Sequence, residues 1–239
     1  MARALLFFFT LLLTLSVRAQ TVVPLDIGGA RLRVEMPTDY VRVSERSPAY
    51  LTHLQAMLPP DNVMIEALMS PDDMLRQLKG KPAQSVAYQI QTMRALERVA
   101  YSKEDWRKFR PQLVEQIGTQ DMAALTSELE RGAQVEIGRM SGGRTTLRLG
   151  EIGKPVLYGR DIDTVRFSMV LPISVQTESS TRSGRVVLAT IVAVVSERLV
   201  ILQAGKVVVG DEVEELQRVG EAIDAFHARL LALNAAATP

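Results

Sequence analysis

RVVLATIVAVVSERLVILQAGKVVV, residues 185–209, is the most apolar stretch of the chain beyond its N-terminal segment. Its first part, Val186 to Val195, is an almost unbroken run of β-branched and aliphatic side chains. The run is too short to cross a bilayer as a helix and too rich in Val and Ile to favour one. A polar turn follows at 196–198, and Leu199 to Gln203 forms a second apolar run. The stretch therefore predicts two paired strands at the centre of a sheet.

The first nineteen residues have the three parts of a secretory signal peptide. Arg3 provides a positive start, Leu5 to Leu15 an apolar core, and Val17-Arg18-Ala19 a small-residue cleavage site. The apolar core is shorter than the roughly twenty residues that a membrane-spanning helix needs. We therefore predict cleavage after Ala19, a periplasmic or secreted protein, and no transmembrane segment in the mature chain.

Charge and cysteine content exclude several classes of function. The full chain has 28 Lys and Arg against 27 Asp and Glu, and loss of Arg3 and Arg18 with the signal peptide leaves 26 against 27, a formal charge of −1. A nearly neutral chain argues against nucleic acid as a partner. The chain has no cysteine, so it has no disulfide, no thiolate nucleophile and no cysteine for a lipid anchor.

The N-terminal half alternates strand and helix signals. VVPLDIGGARLRVEMP predicts a hairpin that turns at residues 27–29, and the helix start signals are Ser47-Pro48, Ser70-Pro71 and the capping-box-like Ser102-Lys103-Glu104-Asp105. VMIEALM predicts a strand, and the ambiguous stretch 85–99 favours one. Pro111 predicts a kink or break in the helix that starts at Ser102.

The C-terminal half is predicted to be mostly strands before a last helix. DMAALTSELE reads as a helix that ends at Gly132, and VEIG (135–138), TTLRLGEI and VRFSMVLPISV read as successive strands. An amphipathic helix with an acidic N-terminus follows from Asp211. We expect a single α+β domain over 20–234, with a largely antiparallel sheet flanked by helices, and a disordered tail over 235–239.

Several of these segments together resemble a known group of proteins. They are the GGxRLRVxxP hairpin, PPDN before an apolar strand, Ser102-Lys103-Glu104-Asp105-Trp106 at a helix start, Ala204-Gly205-Lys206-Val207, and a last helix ending LLALN. The chain resembles uncharacterised exported bacterial proteins, and its order of elements is similar to the PsbP-like α/β/α sandwich. The resemblance implies that fold and a periplasmic location, and it carries over no catalytic residue.

Four residues are the candidates for chemistry. The chain has two histidines. Helical spacing places His53 away from its helix's apolar face and predicts exposure to solvent, whereas His227 lies at the edge of an apolar stripe and predicts a partly buried packing residue. Asp161 and Asp163 would lie on one side of a strand and could suit a hard cation, but a solvated strand end or turn is the favoured interpretation because short acidic turns are ordinary.

No catalytic constellation is assembled by these residues, so we predict no catalytic site, no metal and no cofactor. A non-enzymatic protein that binds another envelope protein is the leading interpretation. The alternatives are a small-molecule or lipid carrier and a hydrolase that uses His227 or the Asp161 and Asp163 pair. An exposed apolar patch would favour the first, an open apolar pocket the second, and a cleft with convergent polar groups the third. The sequence leaves the oligomeric state open.

Overall fold

The computed structural model describes residues 21–79, 81–159, 161–208 and 211–235. The predicted signal peptide and residues 236–239 of the predicted tail lie outside these ranges, and Ala235 is the last residue of a helix. The strands are β1 (Val22–Ile27), β2 (Ala30–Glu35), β3 (Val41–Arg42), β4 (Asn62–Met69), β5 (Ala87–Met93), β6 (Thr145–Leu149), β7 (Val156–Leu157), β8 (Thr164–Thr177), β9 (Thr181–Val195) and β10 (Arg198–Val208). The α-helices are α1 (Val43–Arg46), α2 (Pro48–Ala56), α3 (Pro71–Leu78), α4 (Lys103–Thr119), α5 (Met122–Ser141) and α6 (Glu212–Ala235).

The hairpin of β9 and β10 is the one that the apolar stretch at 185–209 predicts. The strands pair antiparallel, with Val195 opposite Arg198 next to the turn. Ser196 and Glu197 form this turn with φ angles of 48° and 61°. Such a two-residue turn matches the twist of the flanking strands. The predicted strand pair is confirmed, with Arg198 already part of β10.

One eight-stranded sheet contains this hairpin, in the order β3-β4-β5-β10-β9-β8-β6 with β7 also paired to β8. Every pairing in it is antiparallel. β9 and β10 lie in the middle, while β1 and β2 form a separate hairpin. The predicted α+β fold, with a largely antiparallel sheet flanked by helices, is confirmed.

Helices and the separate hairpin cover both faces of the sheet. Successive strand residues point to opposite faces. Ile191 packs in a core with α6 and the β1–β2 hairpin, whereas its neighbour Val192 packs with α4. In the same way Leu68 belongs to the α6 face and Ala67 to the cluster with α2 and α3. The molecule therefore has three layers, with the sheet between α6 and the helices α2 to α4.

The last helix, α6, covers the sheet with the apolar stripe that the sequence predicts. Asp211 caps it, because its Oδ1 accepts hydrogen bonds from the N–H groups of the second and third helical residues at 2.9 and 3.2 Å. Val219, Ile223, Phe226 and Leu230 are buried on its inner face. Among the described residues, none of the helices combines the length and the apolar composition that crossing a bilayer requires.

Helix side chains occupy the free edges of β4 and β6. At β4 the Gln55 amide of α2 accepts from the Met64 N–H at 2.6 Å and donates to the Asn62 carbonyl at 3.1 Å. At β6 the side chains of Gln134 and Glu130 from α5 accept from two strand N–H groups at 2.7 and 3.0 Å. These bonds satisfy backbone groups that would otherwise be available to another chain.

A buried carboxylate ties β3 and α1 to β4. Glu66 is fully buried and follows a bulge in the pairing of β4 with β5. It accepts hydrogen bonds from Arg42 Nε at 2.7 Å and from the backbone N–H groups of Ser44 and Ala67 at 3.1 and 3.0 Å. A buried charge is tolerated when it is paired and hydrogen-bonded in this way. Glu66 thereby fixes the direction of the Arg42 side chain.

The predicted kink or break at Pro111 is wrong, because α4 runs without interruption from Lys103 to Thr119. The start is as predicted, since Ser102 and Asp105 form a reciprocal capping box. Pro111 is exposed, so water can reach the carbonyl that loses its helical donor. Burial of Trp106 and Ile117 on the inner face holds the helix on both sides of the proline.

The predicted end at Gly132 and the predicted strand VEIG are also wrong, because α5 continues to Ser141. A Cβ at residue 132 would lie 3.3 Å from the Ala56 carbonyl of α2. Gly132 therefore permits close packing of two helices and does not end one. Gly142, with a φ of 63°, is the residue that ends α5. The strand favoured within 85–99 is confirmed as β5 and is followed by a short 3₁₀ turn, Arg94–Leu96.

The central position of β9 makes Ile191→Asp a severe test of the fold. Ile191 is fully buried in the α6 face of the sheet, so an unpaired carboxylate there removes more stability than a small domain has. We expect no soluble folded protein, whereas Ile191→Val should cost about 1 kcal/mol. Soluble yield, circular dichroism and thermal melting measure both variants. A soluble Asp variant with an unchanged melting temperature would contradict the assigned position.

Candidate functional site

The described residues between β7 and β8, 158–159 and 161–163, lie near α6. The Tyr158 N–H donates to the Arg166 carbonyl at 3.0 Å. Gly159 has a φ of 75°, and a Cβ there would lie 3.2 Å from Arg166 Cδ, so glycine allows the loop to approach this side chain. At the start of β8, Asp161 Oδ1 accepts from the Asp163 N–H at 2.9 Å. Gly159 and Asp161 therefore both lie close to the Arg166 side chain.

Five titratable side chains meet between this connection and α6. Arg166 is central, since its Nη1 lies 3.4 Å from Asp224 Oδ1 on α6 and its Nη2 lies 3.7 Å from Asp161 Oδ2. Tyr158 and His227 complete the group, because the charges of Arg166 and Asp224 act on both of them. These five residues are named the Arg166 cluster.

Four buried polar atoms of the Arg166 cluster make no hydrogen bond within the described protein. Tyr158 Oη, Arg166 Nε, Asp224 Oδ1 and His227 Nε2 are buried, and none has a hydrogen-bond partner among the described residues. One such group costs about 1–3 kcal/mol, and native proteins contain few of them. The tyrosine and arginine atoms are donors and the aspartate oxygen is an acceptor. The cluster could therefore bind water or a small polar group that both donates and accepts.

Burial sets the protonation states in the Arg166 cluster. Burial is the main cause that raises the pKa of Tyr158 to about 12; the Asp224 carboxylate contributes to the rise and Arg166 opposes it. His227 is only 2% exposed. Burial lowers the pKa of its imidazole and Arg166 adds to this, against the opposing charges of Asp161 and Asp224. At neutral pH the phenol therefore keeps its proton and the imidazole is neutral.

Exposed apolar side chains lie beside the cluster. Val156 and Leu157, which are all of β7, are 62% and 44% exposed, and Ile162 in the following loop is 56% exposed. β7 pairs with β8 on one side. Its other edge makes no hydrogen bond to any residue in the part of the chain that the structure describes. We name Val156, Leu157 and Ile162 the β7 patch.

The sequence candidates are partly brought together. Asp161 and His227 both belong to the Arg166 cluster, and His227 is more deeply buried than predicted. Asp163 turns towards α4, where its Oδ1 lies 3.7 Å from Arg107 Nη2. Both aspartates lie in the turn before β8 and not along a strand. No set of three or more His, Asp or Glu side chains within the described ranges is arranged to hold a metal ion.

The prediction that His53 faces solvent is wrong. Its side chain is 18% exposed and lies between α2 and α5, where Nδ1 contacts the Glu136 carboxylate and lies 2.9 Å from Arg139 Nη2. Arg139 is the main cause that lowers the pKa of the Glu136 carboxyl, and His53 contributes. Glu136 belongs to the part of α5 that the sequence assigns to a strand, and Arg139 follows that part directly. The group joins two helices and lies apart from the Arg166 cluster.

Tyr158, Arg166 and Asp224 are not identified by the sequence analysis. Arg166 does give one signal, because it is the charged residue of the otherwise uncharged strand VRFSMVLPISV. Asp224 lies three residues before His227 and therefore on the same side of the helix. A charged residue on an inward strand position and a second one beside an apolar helix stripe together indicate a buried polar group.

Replacement of His227 should change the pH dependence of stability. Because the folded-state pKa of this base is lowered, its contribution is fully present above the unfolded value near 6.5 and is lost as the pH falls below it. The glutamine of His227→Gln cannot titrate. When the pH falls from about 7.5 to 5.5, the unfolding free energy of this variant should therefore decrease by roughly 0.5–1 kcal/mol less than that of the wild type. Urea denaturation at both pH values measures this difference.

Phe226→Leu is the matched control for this measurement. It replaces the neighbouring buried side chain and should lower stability equally at both pH values, which leaves the wild-type pH dependence intact. Equal pH dependence in His227→Gln and the wild type would show that the imidazole is not buried in its neutral form.

No protein-family model matches this chain, and no curated protein matches it. Among solved structures, the chain is similar to the Ran-binding protein Mog1p of Saccharomyces cerevisiae, with 12% sequence identity, coverage of 91% of this chain and 94% of that chain, and a TM-score of 0.33. A structure of a Mog1 point mutant gives 11% identity, coverage of 90% and 93%, and a TM-score of 0.31.

Proposed function

We propose that this protein is exported to the periplasm and binds an extended segment of another envelope protein along β7. The observation that carries the proposal is the open edge of β7, flanked by the exposed apolar side chains of the β7 patch. An extended segment that adds to a sheet edge gains backbone hydrogen bonds, and apolar contacts of its side chains give specificity. Both kinds of contact are available at β7.

The contrast with the edges of β4 and β6 supports the proposal. Gln55 occupies the edge of β4, and Gln134 and Glu130 occupy that of β6. Proteins protect free edges because an unpaired strand recruits other chains. An edge that keeps exposed Val156 and Leu157, in a sheet whose free edges at β4 and β6 are occupied by helix side chains, is a favourable place for a partner strand.

The size of the surface supports a short segment as the partner. A stable interface between folded proteins buries about 800 Å² on each partner. The β7 patch has three exposed apolar side chains on a two-residue strand and its loop, which is too little for a folded partner or a second copy of this chain. A short extended segment needs only an edge and a few apolar contacts.

The predicted signal peptide supports the cellular location in this proposal. The chain has no cysteine, so no disulfide can link it to a partner in an oxidising compartment. The resemblance to uncharacterised exported proteins points in the same direction.

The hydrolase alternative receives less support. His227 Nε2 makes no hydrogen bond to any described residue, so it activates no described hydroxyl as a nucleophile. Asp161 and Asp163 face different basic partners, Arg166 and Arg107. Neither arrangement is a base beside a nucleophile.

Photocrosslinking in cells tests the partner. A crosslinking amino acid at Leu157 should give a discrete product with one envelope protein, and mass spectrometry should place the crosslink in an extended segment of it. Val156→Lys and Ile162→Lys together should reduce that product at least fivefold, because both charges would have to be desolvated in the interface. These residues are exposed, so melting temperature should change little.

Val213 provides the matched control, because it is a 76% exposed valine at the start of α6, outside the β7 patch. A crosslinker at Val213 should not give the same product, and Val213→Lys should not reduce the Leu157 product. Equal products from both positions, or a product that survives both lysines of the β7 patch, would contradict the proposal.

The location is tested separately. Intact-mass measurement of the protein from a periplasmic extract should give a chain that begins at Gln20. A chain that keeps residues 1–19 and stays in the cytoplasm would contradict export, whereas the crosslinking result would still decide whether β7 binds a partner.

A further inference from the structure

A cleft separate from the β7 patch lies between the open end of the β1–β2 hairpin and β3. Its volume is about 520 Å³, within the range of small-molecule sites. Val23, Met36 and Val41 supply apolar surface, and Tyr40, Arg42 and Arg46 supply polar groups. The cleft is therefore amphipathic and large enough for a small molecule.

Most of the charge in this cleft is already engaged. Arg42 donates to Glu66 and, through Nη1, to Glu45 at 2.6 Å. Tyr40 donates its hydroxyl hydrogen to the Val86 carbonyl at 2.5 Å, and burial raises its pKa to about 12, so it remains a neutral donor. These bonds hold Arg42 and Tyr40 in place. Both side chains are therefore already occupied, and the charged group of a ligand needs a different partner.

Arg46 is the cation that remains available. It is exposed and lines the cleft, and no carboxylate within the described ranges forms an ion pair with it. Arg46 supplies one positive charge, so it can balance one negative charge of a ligand, and any further negative charge would stay unpaired in the cleft. One anionic group directed to Arg46, with an apolar body against Val23 and Met36, satisfies these conditions.

We infer that this cleft binds a small amphipathic monoanion, a carboxylate or sulfonate attached to an apolar body of roughly ten to twenty heavy atoms. The inference goes beyond partner binding at β7 and shares no residue with it. It gives the carrier alternative a specific site.

Two fluorescent probes with the same apolar body test the charge requirement. 8-Anilinonaphthalene-1-sulfonate is a monoanion, and N-phenyl-1-naphthylamine is the same molecule without the sulfonate. Arg46→Gln should weaken binding of the sulfonate probe to the native mature protein about threefold to fivefold, the effect of one exposed ion pair. It should leave the neutral probe unchanged.

Two further variants separate the cleft from other surfaces. Thr38 is exposed and lines the cleft, so Thr38→Trp should fill it and weaken both probes at least fivefold with little effect on melting temperature. Arg182→Gln removes an exposed arginine of β9 outside the cleft and should change neither affinity.

Equal effects of Arg46→Gln and Arg182→Gln would overturn the role of Arg46. Probe binding that survives Thr38→Trp would overturn the site itself. Neither variant changes a residue of the β7 patch. A negative result with the probes therefore does not affect the crosslinking result at β7, and a negative crosslinking result does not affect the probe measurements.

Discussion

The register of β9 against β10 is the constraint on which the rest of the structure depends. Ser196 and Glu197 adopt left-handed backbone conformations and fix which residues of the two strands are opposite each other. A slip by one residue would move Ile191 from the α6 face to the α4 face and bring Val192 the other way. Opposite residues of paired strands share a face of the sheet, so this register also decides which residues of the other strands point to the α6 face. The two-residue turn thus determines what each helix packs against.

The same register places Arg166 under α6. On β8, Arg166 pairs with Ile191, and opposite residues of antiparallel strands share a face. The guanidinium therefore points to the side that α6 covers, at the flank where Asp224 and His227 line the helix. A charged residue on an otherwise apolar face must find partners or water. The Arg166 cluster is the local consequence of one arginine in a strand whose face is set by the central hairpin.

The parts of the fold that depend on neighbouring residues could be predicted. The β9–β10 hairpin, the capping box at Ser102 and the amphipathic α6 all follow from signals within one segment. The end predicted at Gly132 is wrong because glycine has two roles: it ends helices, and it permits two helices to approach closely. Only the position of α2 distinguishes these roles. The kink predicted at Pro111 is wrong because the free energy that a proline costs a helix depends on whether water reaches the carbonyl that loses its donor.

The candidate site could be predicted only in part, for the same physical reason. His227 and Asp161 are visible in the sequence as unusual residues, but their proximity requires the sheet to bring β8 and the preceding loop against α6. The predicted exposure of His53 is wrong because Glu136 and Arg139 contact it from α5, a helix that is distant in the sequence. A titratable residue takes its environment from the elements that pack on it, which a single segment does not contain.

The protection of the other edges bears on the binding proposed at β7. Helix side chains satisfy the free edges of β4 and β6, although an amide or carboxylate held in one position loses side-chain entropy. β7 lies on the same side of β8 as β6, but β6 alone is accompanied by α5. A two-residue strand offers too few backbone groups to recruit another copy of a whole sheet, which limits aggregation. It still offers enough for a short extended segment that adds apolar contacts with Val156, Leu157 and Ile162.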